Sequence, residues 1–224
     1  MKKTIWLMLV SLLAALLLFG CSGDASEEAA KDTSAKSEKS SKGGDTPPVG
    51  EAKTHAVRNA DNQFVTVETD FGKMTLELYR DIAPAHADSF AARAKDGFYN
   101  GLTFHRIIDG FMIQGGCPQG TGMGGASYNL NAEFSDLPHL EGTLSMARGP
   151  SPHSASSQFF ICLRPTPQLN GKYTVFGHLI KGYDTLHKLG KVAVQADARG
   201  EVSVPVEKVY SHKVYLSDID GNPL

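Results

Sequence analysis

The 224-residue chain predicts a mainly β domain, a closed barrel of about eight short antiparallel strands with two α-helices. Three observations predict it. Short runs alternate apolar and polar side chains, the period of a half-buried strand. Turn pairs such as Asp109-Gly110 separate such runs, and Asp-Gly between β-branched and aromatic residues is a strong hairpin signal. Only two stretches carry a helix pattern with its own start and stop.

The elements follow in order. Phe64 to Thr69 alternates as a strand, and Lys73 to Tyr79 alternates back after a turn at Phe71-Gly72. Ala83-Pro84 opens a helix, because the N–H that proline lacks has no partner in a first turn. The helix runs to about Lys95, with Gly97 as its stop. Phe90, Ala87, Ala91 and Ala94 form its apolar side, which would plug one end of the barrel. Thr103 to Gly116 reads as two strands around Asp109-Gly110. Side chains alternate along a strand, so Phe104, Arg106 and Ile108 share one face of the first. Met112 and Gln114 share a face of the second, and Ile113 points the other way. Thr143 to Arg148 is a strand. Ser156 to Cys162 alternates again, with Gln158 and Phe160 opposite Phe159 and Ile161. Tyr173 to Leu179 is another strand. Gly182 to Gly190 is a short helix with Leu186 and Leu189 as its apolar face. Val202 to Leu216 supplies one or two final strands, with Pro205 confined to an edge or a strand start.

Residues 1–60 differ in kind. Met1-Lys2-Lys3 precedes an uncharged apolar run from Ile5 to Gly20, the form of a secretory signal and a little short for a comfortable bilayer span. A retained anchor helix is the alternative. Leu18-Phe19-Gly20-Cys21 resembles a bacterial lipobox, with Phe19 larger than the usual residue. The resemblance implies removal of residues 1–20 and lipid on Cys21, and several acyl chains hold a protein on its membrane. Ser22, rather than Asp, would favour the outer membrane of a two-membrane envelope. From Ser22 to Ala60, Ser, Ala, Lys, Glu, Asp and Gly dominate. Such a segment buries too little surface to offset its ordering entropy. It reads as a tether with an end-to-end distance of roughly 30–40 Å. Residues 61–224 form the folded domain.

Several functional classes are excluded. From Asp61 onward, 14 Lys plus Arg face 17 Asp plus Glu, with no basic stripe, so nucleic acid is not an expected partner. The eight histidines show no metal-ligand spacing, so no metal is expected. His105 adjoins Arg106 and by alternation faces the other side, in a core or support role. Gly120 to Gly125 lacks the strand–turn–helix order of a phosphate site and reads as a loop passing close to a ligand. Ser156-Ser157 has no glycine elbow, which argues against a serine hydrolase. Cys162 reads as a buried small hydrophobe. A Cys117–Cys162 disulfide is the alternative in an oxidising compartment.

The words Phe-His-Arg-Ile-Ile, Gly-Phe-Met-Ile-Gln-Gly-Gly, Ser-Met-Ala-Arg, Ser-Gln-Phe-Phe-Ile and Val-Phe-Gly occur in the order and near the spacing of the cyclophilin family of peptidyl-prolyl cis/trans isomerases. The resemblance covers roughly Phe64 to Ile219. It implies a cyclophilin-like barrel with a helix at each end. It also implies that Arg106 is the catalytic residue. Phe111, Met112, Phe160, Leu169 and Tyr173 would grip the proline ring. Gln114 and Gln158 would hydrogen-bond the peptide, Ala147 and Arg148 would pair with its backbone, and Gly122 would lie at the groove's edge. Glu133, in Asn131-Ala132-Glu133-Phe134, would be structural. Gln168 stands where many eukaryotic members have Trp, Tyr173 where many have His, and Arg148 where others have Asn. Without the indole, cyclosporin is expected to bind weakly.

No bond breaks when an Xaa-Pro amide rotates, so no cofactor is expected. The expected partners are proline-containing polypeptides and, through Cys21, a membrane. The expected state is a monomer, lipid-anchored on the extracytoplasmic side of the cell envelope, where it assists the folding of exported proteins. Two rival readings are a non-catalytic proline-binding module or holdase, and a lipocalin-like carrier that shares the barrel but not the motif words. If lipid on Cys21 is the anchor, Cys21→Ser moves the protein from the membrane to the soluble fraction; retention in the membrane would point to an uncleaved helix.

Overall fold

A computed structural model describes Asn59 and residues 62–224. The expected signal, the expected lipidation site at Cys21 and most of the expected tether lie outside the described residues. Among the described residues no helix is long and apolar enough to cross a membrane.

Among the described residues, eleven strands and two α-helices follow one another. They are β1 (Gln63–Thr69), β2 (Gly72–Leu78), α1 (Pro84–Lys95), β3 (Leu102–Thr103), β4 (Arg106–Ile108), β5 (Met112–Gly115), β6 (Thr143–Met146), β7 (Phe159–Cys162), β8 (Val175–Lys181), α2 (Tyr183–Gly190), β9 (Val194–Ala196), β10 (Val202–Pro205) and β11 (Tyr210–Ser217). A 3₁₀ turn at Pro167–Leu169 precedes β8. Nine strands form one curled antiparallel sheet in the order β3-β11-β1-β2-β8-β6-β7-β5-β4, and β9 and β10 form a separate ribbon. Nine strands in the sheet, rather than eight, reflect β3, which is only two residues long and too short to leave an alternation pattern. The two end strands, β3 and β4, are consecutive in the chain, and Thr103 bridges to Cys117 just after β5.

Alternation sorts the side chains. On one face of the sheet Ile107, Ile113, Ile161 and Leu144 stand in register across β4, β5, β7 and β6. They join the main core with Val65, Val67, Met74, Leu76 and Phe176. The Phe90 ring lies 5.1 Å from Phe159, edge to face, and 4.8 Å from Tyr99. Such aromatic pairs contribute about 0.5–1.5 kcal/mol beyond area burial. Rings thus fill the interior, which leaves a lipocalin-like carrier no lumen.

The α1 bounds match the proline start, with Pro84 at the first turn and Ala83 as N-cap. Its cap is supplied from afar. The Glu133 carboxylate accepts the backbone N–H of Ala85 at 3.1 Å and of His86 at 3.0 Å. It also meets His86 Nδ1 at 2.6 Å. The carboxylate therefore satisfies orphan donors at the positive end of the helix dipole, and Glu133 is structural. On α2, Leu186 and Leu189 are buried. The helices pack on different strands, α1 against β1, β8 and β11, and α2 against β2, β4 and β5.

Three sequence expectations are corrected. Phe104 does not share a face with Arg106: it is buried in the core, 6.2 Å from Phe159. The strand breaks at Phe104-His105, between β3 and β4, so alternation does not carry through. The strand expected to start at Tyr173 starts at Val175. Cys117 and Cys162 are free and buried. Cys162 stands opposite Met112, at the far end of β5 from Cys117. That is about 15 Å along a strand, beyond disulfide reach.

Two outcomes are expected. Glu133→Ala lowers stability by about 1–2 kcal/mol in chemical denaturation; an unchanged midpoint would remove its capping role. Burial lowers the pKa of His86, His105 and His139 from the ordinary 6.5. The unfolded chain then binds protons that the folded chain refuses. Stability is full above 6.5 and falls as pH drops toward the lowered values. Melting temperature should fall between about pH 7.5 and about pH 5; a rise would contradict the assignment.

Candidate active site

On the other face of the sheet, Arg106 stands opposite Gln114, and Gln114 opposite Phe160. One step along, Ile108 faces Met112 and Met112 faces Cys162. This face makes its own small apolar cluster. Met112, Phe160 and Cys162 are buried, and Ile108, Phe111, Ala147, Leu169 and Tyr173 pack on them. The hairpin turn runs over Asp109-Gly110 as expected, with Gly110 at φ +63° and the Phe111 N–H closing onto the Ile108 carbonyl at 3.0 Å. It sets Phe111 at the pocket's edge.

A pocket of about 150 Å³ is lined by Arg106, Phe111, Met112, Gln114, Ala147, Arg148, Phe160, Leu169 and Tyr173. The structure thus brings together nine residues that the sequence selected. Tyr173 stands edge-on to Phe160 at 5.7 Å, and the His139 ring stacks on Phe160 at 6.0 Å, so the floor ring is held from two sides. The two remaining candidates, Gly122 and Gln158, line a neighbouring lobe of about 580 Å³, which shares Gln114, Ala147 and Arg148 with the first.

The polar groups form a chain. Arg106 Nη1 donates to Gln114 Oε1 at 3.3 Å, and Gln114 Nε2 donates to Gln158 Oε1 at 2.9 Å. Gln158 Nε2 in turn donates to the carbonyls of Gly122 at 2.8 Å and Gly124 at 2.6 Å. Both N–H groups of Gln158 are therefore spent on the glycine loop, and this amide positions the loop rather than reaching freely for a peptide. Gly122 has φ +77°, and a Cβ there would meet the His105 ring at 3.3 Å. His105, half-buried, supports the loop from below and lines a cavity together with Arg106, so it does not lie on the far side of the sheet. The Arg148 guanidinium donates to the carbonyls of Lys172, Gly149 and Pro150 and covers the Tyr173 ring at 4.7 Å. Its side chain builds the groove wall.

Sequence reasoning missed Glu201. Its carboxylate takes Arg106 Nε at 2.6 Å and Nη2 at 2.7 Å. The Arg106 hydrogen bond holds Glu201 below the usual carboxylate value, so it is charged at neutral pH. Local sequence carries no sign of this, since Glu201 follows a short turn far from Arg106 in the chain. No group of three or more metal-ligating side chains occurs among the described residues.

The fold and groove define an antiparallel β protein with a small apolar pocket, a cation at its mouth and amide groups along its rim. The chain belongs to the cyclophilin type peptidyl-prolyl cis-trans isomerase/CLD family, whose model matches residues 64–211. A peptidyl-prolyl cis-trans isomerase of Synechococcus elongatus is 50% identical over 111 residues, covering 50% of this chain and 76% of the relative. Peptidyl-prolyl cis-trans isomerase B of Bacillus subtilis is 43% identical over 134 residues, 59% of this chain and 93% of the relative. A Cryptosporidium parvum cyclophilin crystallised in the presence of the dipeptide Ala-Pro superposes with a TM-score of 0.64 at 34% identity, covering 70% of this chain and 99% of that one. Rotation about Xaa-Pro peptide bonds is the activity of this chain.

The amide chain has a measurable consequence. Gln158→Leu frees the Gly122 and Gly124 carbonyls, and amide hydrogen exchange across residues 120–125 should quicken with little change elsewhere. Unaltered exchange in the loop would show that Gln158 does not hold it.

Proposed function

We propose that Arg106 lowers the rotation barrier for Xaa-Pro bonds of exported proteins, on a domain tethered to the cell envelope by lipid on Cys21. The barrier of about 18–20 kcal/mol comes from amide resonance. As the bond twists, the nitrogen turns pyramidal and regains its lone pair. A cation that donates a hydrogen bond there favours the twisted amide over both planar forms. The guanidinium stays charged at any working pH. The observation that carries this reading is the position of Arg106 at the wall of the apolar pocket. There a proline ring seated on Met112 and Phe160 brings its nitrogen toward the guanidinium. Phe111, Leu169 and Tyr173 close around the ring. Gln114, Ala147 and Arg148 border the adjoining backbone, and Gly122 leaves room for it. The lipid and the envelope location rest on the sequence of the first 60 residues, and the monomeric state is part of the same proposal. We also read the curled sheet as a closed barrel, eight-stranded when the two-residue β3 is left out, a reading supported by the bridge from Thr103 in β3 to Cys117 just after β5.

The test is cis-to-trans conversion of an Ala-Pro peptide by the full chain. Arg106→Ala should cut turnover by a factor on the order of 10² or more while the protein melts as the wild type does. Turnover close to wild type would remove Arg106 from this role and favour a groove that works by binding alone.

A further inference from the structure

The ribbon of β9 and β10 is not part of the main sheet, yet its tip reaches the groove. The turn between its strands is locked. The Asp197 carboxylate accepts the backbone N–H of Arg199 at 2.8 Å and of Glu201 at 2.9 Å, and the backbone N–H of Asp197 donates to the Glu201 carbonyl at 2.8 Å. Glu201 is therefore fixed at both backbone groups before its side chain acts. That side chain grips Arg106 bidentately along the Nε and Nη2 edge. Gln114 takes Nη1 from the other side. Met112 Sδ lies 3.9 Å from Nη1 on the pocket side, so of the five guanidinium N–H groups the outer one at Nη2 and the Nη1 group held only by this weak sulfur contact remain for a substrate.

We infer that Glu201 is a positioning residue for the isomerase reaction, aiming the Arg106 guanidinium so that its free N–H groups face the amide that twists. The inference rests on the catalytic role proposed for Arg106. An arginine side chain has several rotatable bonds, and a planar fork matched to a carboxylate fixes its plane as well as its position. Transition-state stabilisation depends on donors already aimed at the developing lone pair. Arg106 lines the apolar pocket and its Nη1 lies 3.9 Å from Met112 Sδ, whereas Glu201 is not among the pocket's lining residues. Loss of the bridge should therefore lower kcat and spare KM, the signature of an interaction used in the transition state rather than in substrate binding.

The experiment measures kcat and KM for an Ala-Pro peptide with the full chain and its Glu201→Ala and Glu201→Gln variants. Each substitution is also made in an Arg106→Ala background. Glu201→Ala should lower kcat about tenfold and leave KM within about twofold. Glu201→Gln, which keeps one acceptor and the shape, should fall between. In the Arg106→Ala background neither should change the residual rate. The Arg106 Nε–H resonance, protected from solvent exchange in the wild type, should lose protection in Glu201→Ala, which reads the bridge independently of turnover. Unchanged or faster turnover in both Glu201 variants overturns the inference. So does an equal loss with Arg106 already removed, which would make the effect merely structural. Wild-type turnover by Arg106→Ala alone would instead overturn the role of Arg106 itself, an outcome separable from the others.

Discussion

The groove depends on one constraint, the antiparallel register that sets Arg106, Gln114 and Phe160 side by side across three strands. Neighbouring strands lie about 4.8 Å apart and side chains alternate with a period of two. The same register therefore fixes two surfaces at once. Ile107, Ile113 and Ile161 go to the core, while the arginine, the amide and the aromatic ring go to the groove. A slip of β4 by one residue would bury the guanidinium and expose Ile107. Burial of the isoleucine row, worth roughly 1.5–3 kcal/mol per side chain, thus also stabilises the site.

Polar groups on the groove face are tied into one chain rather than left to solvent. It runs from Glu201 through Arg106, Gln114 and Gln158 to the Gly122 and Gly124 carbonyls. Arg106 donates to the Glu201 carboxylate on one side and to Gln114 on the other, and each amide donates onward, which holds the amides in one orientation and the glycine loop against His105. The Arg106–Glu201 pair is partly exposed, at 28% and 35% of side-chain area. Such pairs contribute little to stability, so its value lies in orientation. Met123, at the loop tip, is 92% exposed and borders the lobe beside the pocket.

Much of this was legible in the sequence because period-two alternation survives wherever a strand has one buried face. Arg106 with Met112 and Gln114, and Gln158 with Phe160, could be placed on common faces that way. The proline start and glycine stop bounded α1 for equally local reasons. Phe104 was misplaced because the chain leaves the sheet for two residues between β3 and β4, a break that alternation does not register. The ribbon strand β9 is short, partly exposed and without a clean pattern. Glu201 acts on a residue far away in the chain, and no local signal encodes such a contact. The same holds for Glu133, whose structural role came from resemblance and whose cap on α1 only tertiary structure displays.

The most direct test of the account is an NMR titration of the isotope-labelled chain with an Ala-Pro peptide. Shift changes should concentrate on Arg106, Phe111, Met112, Gln114, Phe160, Leu169 and Tyr173, with exchange between the cis and trans peptide signals at the rate of turnover. Changes centred elsewhere, for example on the exposed Phe71 and Val206, with the groove residues silent, would contradict it.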